Sequence, residues 1–278
     1  MVINDDIHKA GKSIAERRNS ANWAVELWDL ITPKIYDPNV LQKMRDDFVR
    51  MGYVRFPALV TSRVLDSIKD ELVELLQFAV RRNFEMPGYE TPRNLSVLGG
   101  SIIKSYSPLL YSLYHHYALR SCVESVVGRA IFSCSHPEEF MVANFLHHDG
   151  DTHGWHLDDP AYALVIFLEI PGDDGGGDLE VIPNWTDLCH RKNRKPDDSI
   201  TDLIAWATEN GLVDRYRHEP GDAYLLRADM NLHRVAPLMR AGERRSVVNL
   251  AFDNVLNATR GRTADILYGG QHGVEQLL

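Results

Sequence analysis

Residues 140–170 read FMVANFLHHDGDTHGWHLDDPAYALVIFLEI. Phe140–Leu146 and Tyr162–Ile170 are short apolar runs, rich in β-branched and aromatic residues, and each is read as a strand. Between them lie His147, His148, His153 and His156, four histidines within ten residues. The spacing that matters is His156-Leu157-Asp158. On an extended chain residues i and i+2 point to the same face, about 7 Å apart at their Cα atoms, so both side chains can converge on one ion.

The strand pattern continues downstream. Asp178–Ile182, Ala223–Arg227 and Arg244–Phe252 are short and apolar, and Asp173-Asp174-Gly175-Gly176-Gly177 and Pro220-Gly221-Asp222 mark turns between them. One helix is expected over Asp198–Asn210. Upstream the pattern is helical. Helices are expected from Ser20 to Leu30, from Asn39 to a stop at Gly52, and from Thr61 or Ser62 with Val64, Leu65, Ile68, Leu72, Leu75, Leu76 and Ala79 on one face. A further helix is expected from Pro108 to Val127. Tyr53–Phe56 is a brief strand. Helices followed by strands predict an α+β, mainly β fold: a β-sandwich or jelly roll buttressed by an N-terminal helical layer. The expected organisation is one domain over 1–278. It comprises a helical buttress to about 130, a core over about 131–255 and a C-terminal segment 256–278.

Composition excludes other classes. At 44% hydrophobic and 25% charged residues, the 278-residue chain has a globular balance rather than that of a disordered or coiled-coil protein. Its longest apolar run, Ala163–Leu168, is far short of a membrane span. Residues 1–20 carry no apolar run of a secretory leader, and the three cysteines, Cys122, Cys134 and Cys189, suit a reducing compartment. A cytoplasmic location is therefore expected. Thirty basic against 39 acidic residues give a net charge of −9, which disfavours nucleic acid as a partner and tolerates a small cation as substrate. A homo-oligomer stays open. No GxSxG, HExxH or phosphate-loop GK[ST] occurs, and neither Cys134-x-His136 nor Cys189-His190 has the second pair a zinc site needs.

A lone HxD is weak, and the chain has a second in His147-x-Asp149. Context favours His156 and Asp158, which stand just before the strongest strand, with His233 as a distal third ligand. Two imidazoles and one carboxylate leave open positions, the arrangement of non-haem Fe(II) oxygenases. Arg244 and Ser246 share a strand face by alternation, while Arg245 points the other way. An arginine on the inner face of a barrel would be a buried, unpaired cation unless an anion joins it, and a dicarboxylate would pair with it in two-pronged fashion. Arg244 is expected to be that residue.

His156-x-Asp158, Gly176-Gly177-x-Leu179-x-x-x-Pro183, His233 and Arg244-x-Ser246, in this order, resemble the Fe(II)/2-oxoglutarate-dependent dioxygenases, and the resemblance runs from about residue 40 to 255. It implies a double-stranded β-helix, Fe(II) on His156, Asp158 and His233, dioxygen, and 2-oxoglutarate reaching Arg244 with Ser246 as second donor. The segment 147–159 is similar, more narrowly, to the BesD-type radical halogenases and their hydroxylase relatives, which act on free polar amino acids, lysine above all. In the halogenases glycine replaces the carboxylate ligand and admits chloride; here Asp158 holds that position, so a hydroxylase is expected. The same resemblance implies that Arg93 holds the substrate's α-carboxylate, with Glu139, His153 and Asp159 lining the pocket and Tyr268 closing it. The expected reaction is hydroxylation of L-lysine, at C4, to hydroxylysine with succinate and CO2, and no protein group beyond the iron centre is assigned to catalysis. Ornithine, arginine or a carrier- or peptide-bound residue are alternative substrates. A metal-binding jelly roll without turnover is the alternative of another class.

Overall fold

Asp37 and Pro38 start the first described α-helix. The Asp37 carboxylate accepts from the Asn39 amide at 2.8 Å, and proline suits a first turn whose N–H groups have no helical partner. This helix, α1 (Pro38–Met51), closes on Gly52 at φ 65°, a left-handed conformation that glycine adopts without strain, and the chain turns at once into β1 (Tyr53–Phe56). The computed structural model describes residues 30–197, 200–258 and 263–268. The helix expected over Ser20–Leu30 lies, except for Leu30, outside the described residues, as do 259–262 and 269–278 of the C-terminal segment.

Helix α2 (Ser62–Leu75) buries Val64, Leu65, Ile68, Leu72 and Leu75, as its periodicity predicts, but a 3-10 turn over Leu76–Phe78 ends it before Ala79. The hairpin that follows, β2 (Val80–Met86) and β3 (Thr91–Leu98), has no counterpart among the expected elements; Arg81, Arg82, Asn83, Arg93 and Asn94 interrupt its apolar pattern. After α3 (Gly100–Tyr106), the single helix expected over Pro108–Val127 is two, α4 (Pro108–Tyr114) and α5 (Tyr117–Val127). Neither proline nor glycine marks the break. Tyr114 fixes it from the sheet side: its hydroxyl donates to the Ala251 carbonyl at 2.9 Å and its ring stacks on Phe252, centroids 4.9 Å apart.

The strands are β4 (Phe132–Ser133), β5 (Met141–Leu146), β6 (Thr152–His156), β7 (Tyr162–Glu169), β8 (Leu179–Ile182), β9 (Asp214–Tyr216), β10 (Ala223–Arg227), β11 (Leu232–Val235) and β12 (Arg245–Asp253). Helices α6 (Trp185–Arg191) and α7 (Thr201–Glu209) lie between β8 and β9, and α8 (Thr263–Tyr268) follows β12. All these strand pairings are antiparallel, in the order β1-β10-β7-β12-β5-β3-β6-β11-β8-β9, with β2 beside β3 and β4 beside β12. An interior cluster joins Val165, Phe167, Tyr224 and Val247 to Leu179 and Val181, from strands far apart in that order, so the sheet curls over itself as a jelly roll. On the outer face Leu164, Ile166, Leu168, Val248 and Leu250 pack against helical Phe48, Ile68, Leu72 and Leu110. Each such side chain contributes about 1.5–3 kcal/mol by burial. Strand β7 is covered on both faces, which is why it reads as an unbroken apolar run. No described helix is long and apolar enough to cross a membrane.

Candidate active site

His156 at the end of β6 and His233 on β11 are direct cross-strand partners, their ring centroids 4.2 Å apart. Asp158, two residues beyond the strand, is held by its amide on the Ala228 carbonyl at 3.1 Å. Its Oδ1 lies 3.4 Å from His156 Nε2 and 3.7 Å from His233 Nε2, and one donor atom from each of the three residues falls within 4.8 Å of the others. Each imidazole is oriented from behind, His156 Nδ1 on the Gly154 carbonyl at 2.7 Å and His233 Nδ1 on the Asn231 carbonyl at 3.0 Å. That leaves both Nε2 atoms free to ligate, the tautomer a metal-binding histidine needs. Burial alone would raise Asp158, but His233 and His156 outweigh it and hold the carboxyl below its usual range. The rival pair is elsewhere: His147 lies against the outer face of β12, and Asp149 is exposed in the loop after β5.

Four residues of β6, His153 to His156, face only three of β11, Val235 to His233. This bulge reverses the alternation, so His153 and His156 share a face and their rings stack at 4.0 Å and 22°. Burial, with His156 and Arg93 nearby, pushes His153 well below the ordinary imidazole range, and its Nε2 has no partner among the described residues.

Arg93 belongs to β3 rather than to a loop, opposite His153, with its side chain wholly buried. Its Nη1 donates to the Thr91 hydroxyl at 3.0 Å and to the carbonyls of Pro92 and Gly154 at 3.2 and 3.3 Å, while Nε and Nη2 have no partner among the described residues. Burial pulls the guanidinium down to about 10, still cationic at neutral pH. Tyr268, on α8, is buried, and its hydroxyl is pushed well up by burial and by Glu139 and Asp158. Glu139 is itself buried, and Asp159 is half-buried close enough to Tyr89 to raise it. The fold thus gathers Arg93, Glu139, His153, Asp159 and Tyr268 beside the His-Asp-His cluster.

Arg244 and Ser246 are not gathered there, and the expectation for both needs correction. Ser246 pairs with Phe145 of β5 and points to the helical layer, where it donates to Glu169 Oε2 at 2.5 Å. Arg244 is half-exposed on that outer side, 3.3 Å from Glu169 Oε1. Arg245 is the inward cation, 2% exposed, its guanidinium 5.0 Å from the Phe167 ring centre. Among the described residues its Nε has no partner, and no hydrogen bond or ion pair involves the side chain. Burial pulls it down to about 10. Alternation along the strand holds; its phase is the opposite one, because the helices cover the Ser246 face. Gly177, at φ 73°, leaves room for the Arg245 stem: a Cβ there would come within 3.3 Å of Arg245 Cδ.

The sequence reading also missed Asn144 and Asn249. Their amide oxygens are buried without partners among the described residues, Asn144 between Val142 and Leu146 and Asn249 two residues after Val247. An amide at an inward position of an otherwise apolar alternation was the available signal.

The sequence matches the profile of the family Halogenase D (HalD) over residues 36–268. The chain belongs to the Halogenase D family. No curated protein matches the chain. Among solved structures it is similar to the non-haem alpha ketoglutarate dependent carbocyclase SnoK from nogalamycin biosynthesis (12% identity, 76% of this chain and 83% of that one, TM-score 0.59). It is also similar to EctD from S. alaskensis with 2-oxoglutarate and 5-hydroxyectoine (15%, 82% and 84%, 0.57). A third is the epimerase SnoN in complex with Fe3+, alpha ketoglutarate and nogalamycin RO (15%, 81% and 93%, 0.56). At such identities these likenesses establish the fold that the chain shares with them.

Proposed function

We propose that the protein is an Fe(II)- and 2-oxoglutarate-dependent hydroxylase of a free cationic amino acid, with L-lysine as substrate and C4 as the position. His156, Asp158 and His233 would hold the iron, which supplies dioxygen activation coupled to oxidative decarboxylation of 2-oxoglutarate. The donor set fits: two Nε2 atoms with their Nδ1 atoms engaged and one carboxylate, all within 4.8 Å. Arg245, buried with no carboxylate bound to it, would take the far carboxylate of 2-oxoglutarate. One amino-acid C–H, dioxygen and 2-oxoglutarate become C–OH, succinate and CO2, so the balance requires no protein base.

Arg93 carries the assignment of substrate class. A cation buried this deeply with Nε and Nη2 unpartnered is costly, and the α-carboxylate of an amino acid offsets that cost with a two-pronged bond. Glu139, Asp159 and the free amide oxygens of Asn144 and Asn249 are acceptors suited to ammonium groups. His153, kept neutral, adds no second positive charge against them. Site choice then follows from which carbon these contacts hold nearest the iron. Asp158 supports hydroxylation in a family named for halogenation, because a carboxylate occupies the position that chloride would need.

Mass spectrometry of aerobic reactions containing Fe(II), 2-oxoglutarate, chloride and a panel of free amino acids tests this reading. Lysine is expected to gain one oxygen atom with matching succinate, and Arg93→Gln to lose that product while the iron stays bound. A chlorinated product would overturn the role given to Asp158. Succinate without a modified amino acid would remove the substrate class and keep the oxygenase.

A further inference from the structure

Three consecutive polar residues, Arg244-Arg245-Ser246, enter β12, and only the middle one faces the interior of the curled sheet. A slip of one residue would exchange the faces, withdraw Arg245 and insert Arg244 and Ser246. Something must pin the register at this end of the strand. Pairing with β5 is regular through Arg245 and Leu146, but pairing with β7 is not: Val247 faces Phe167 while Ser246 faces Glu169, leaving Leu168 as the extra residue of a bulge.

The bulge has a chemical consequence. Ala163, Val165 and Phe167 face the interior, and unbroken alternation would carry Glu169 inward as well, on the face of Arg245. There the carboxylate would neutralise Arg245, the cation proposed to receive an anionic cosubstrate. Instead Leu168 joins the outer cluster with Leu164 and Ile166, and Glu169 emerges beside the two neighbours of Arg245. Its Oε2 accepts from the Ser246 hydroxyl at 2.5 Å and its Oε1 from Arg244 Nε at 3.3 Å. His147, at the end of β5, bonds the same hydroxyl through Nε2 at 2.9 Å. Because that hydroxyl donates its proton to Glu169, His147 is the donor to it. Burial and then the Arg244 charge hold the imidazole below its ordinary range, consistent with a neutral ring. For Glu169 burial acts upward, but the Ser246 hydroxyl and Arg244 outweigh it and keep the carboxyl below its usual value. Lys69 and Leu72 of α2 close over the cluster around a cavity of about 170 Å³.

We infer that Glu169 is a positioning residue: turned outward by the β7 bulge, it clamps Arg244 and Ser246 on the outer face and so holds Arg245 unpaired inside, where the cosubstrate needs it. This rests on the reading of Arg245 as the 2-oxoglutarate anchor. The test compares 2-oxoglutarate binding to the iron-loaded protein under nitrogen, by calorimetry, for wild type, Glu169→Ala, Glu169→Gln and Arg245→Gln. Loss of the clamp in Glu169→Ala is expected to weaken 2-oxoglutarate about tenfold and to raise its KM likewise, with kcat and the amino-acid KM unchanged. Glu169→Gln, which keeps an acceptor for Ser246, should recover most of the affinity. Phenylglyoxal labelling gives a readout without turnover: Arg244 alone of the pair should react in wild type, and Arg245 should become reactive in Glu169→Ala. Ser246→Ala, a smaller change, should shift both readouts in the same direction and serves if Glu169→Ala does not fold. Wild-type 2-oxoglutarate affinity and a protected Arg245 in the folded Glu169 variants, with affinity lost in Arg245→Gln, would overturn the positioning role alone. Wild-type affinity in Arg245→Gln would instead remove the anchor reading on which it rests.

Discussion

In the proposed reading, both chemistry and metal binding turn on Asp158. Its carboxylate lies within 4 Å of two imidazole nitrogens that are each oriented by a backbone carbonyl. Asp149, nine residues earlier, is an exposed loop residue. Asp158→Ala is therefore expected to weaken iron binding by more than about 100-fold, since even changes behind a ligand cost 10- to 100-fold. Asp149→Ala should leave the iron content unchanged. Metal analysis after anaerobic reconstitution checks both, and the reverse pattern would sink the ligand assignment.

Among the elements, β6 is buried along its whole length. Its bulge puts His153 and His156 on one face and sends Trp155 to the other, where Arg234 covers the indole at 4.9 Å and binds Glu180. Gly154 makes this packing possible: a Cβ there would come within 2.7 Å of the Pro92 carbonyl and 2.9 Å of Thr91 Cβ. Backbone cannot yield as a side chain can. Gly154→Ala should therefore push β3 from β6, lowering stability by about 1–3 kcal/mol. Because Arg93 Nη1 bonds the Gly154 carbonyl, the amino-acid KM should rise as well. Urea unfolding beside steady-state kinetics separates the effects; unchanged stability and KM would show that the two strands are not packed as tightly as described.

At the scale of the whole molecule, His218 ties distant parts of the chain together. It bonds the Tyr53 hydroxyl at 3.0 Å across 165 residues and stacks on Phe167 with centroids 4.2 Å apart. Burial first, and then Arg245 and Arg55, lower it from 6.5 to about 3. Between those values the unfolded chain binds a proton that the folded protein refuses. Stability contributed at neutral pH is thus lost on acidification, by about 1.4 kcal/mol per pH unit from this group in that window. The thermal midpoint should fall from pH 7 to pH 5, and His218→Gln should flatten that dependence by about one proton. Equal slopes for the two proteins would show that His218 is not buried in its neutral form.

The sequence determined what local pattern can determine. Apolar runs with β-branched residues marked most of the central strands, Gly52 marked the end of α1, and His156, Asp158 and His233 stood out because metal chemistry demands particular residue types at particular spacings. The hairpin β2–β3 and the break at Tyr114 were hidden because long-range contacts impose them: Arg93 and its polar neighbours form a strand only with β5 and β6 beside them. The choice between Arg244 and Arg245 was hidden for a sharper reason. A period of two gives two faces and no label for which is inside, and that label comes from the helices lying over Ser246 and from a bulge one strand away. Sequence supplied the alternation; only the tertiary structure, by deciding which face is covered, assigned its phase.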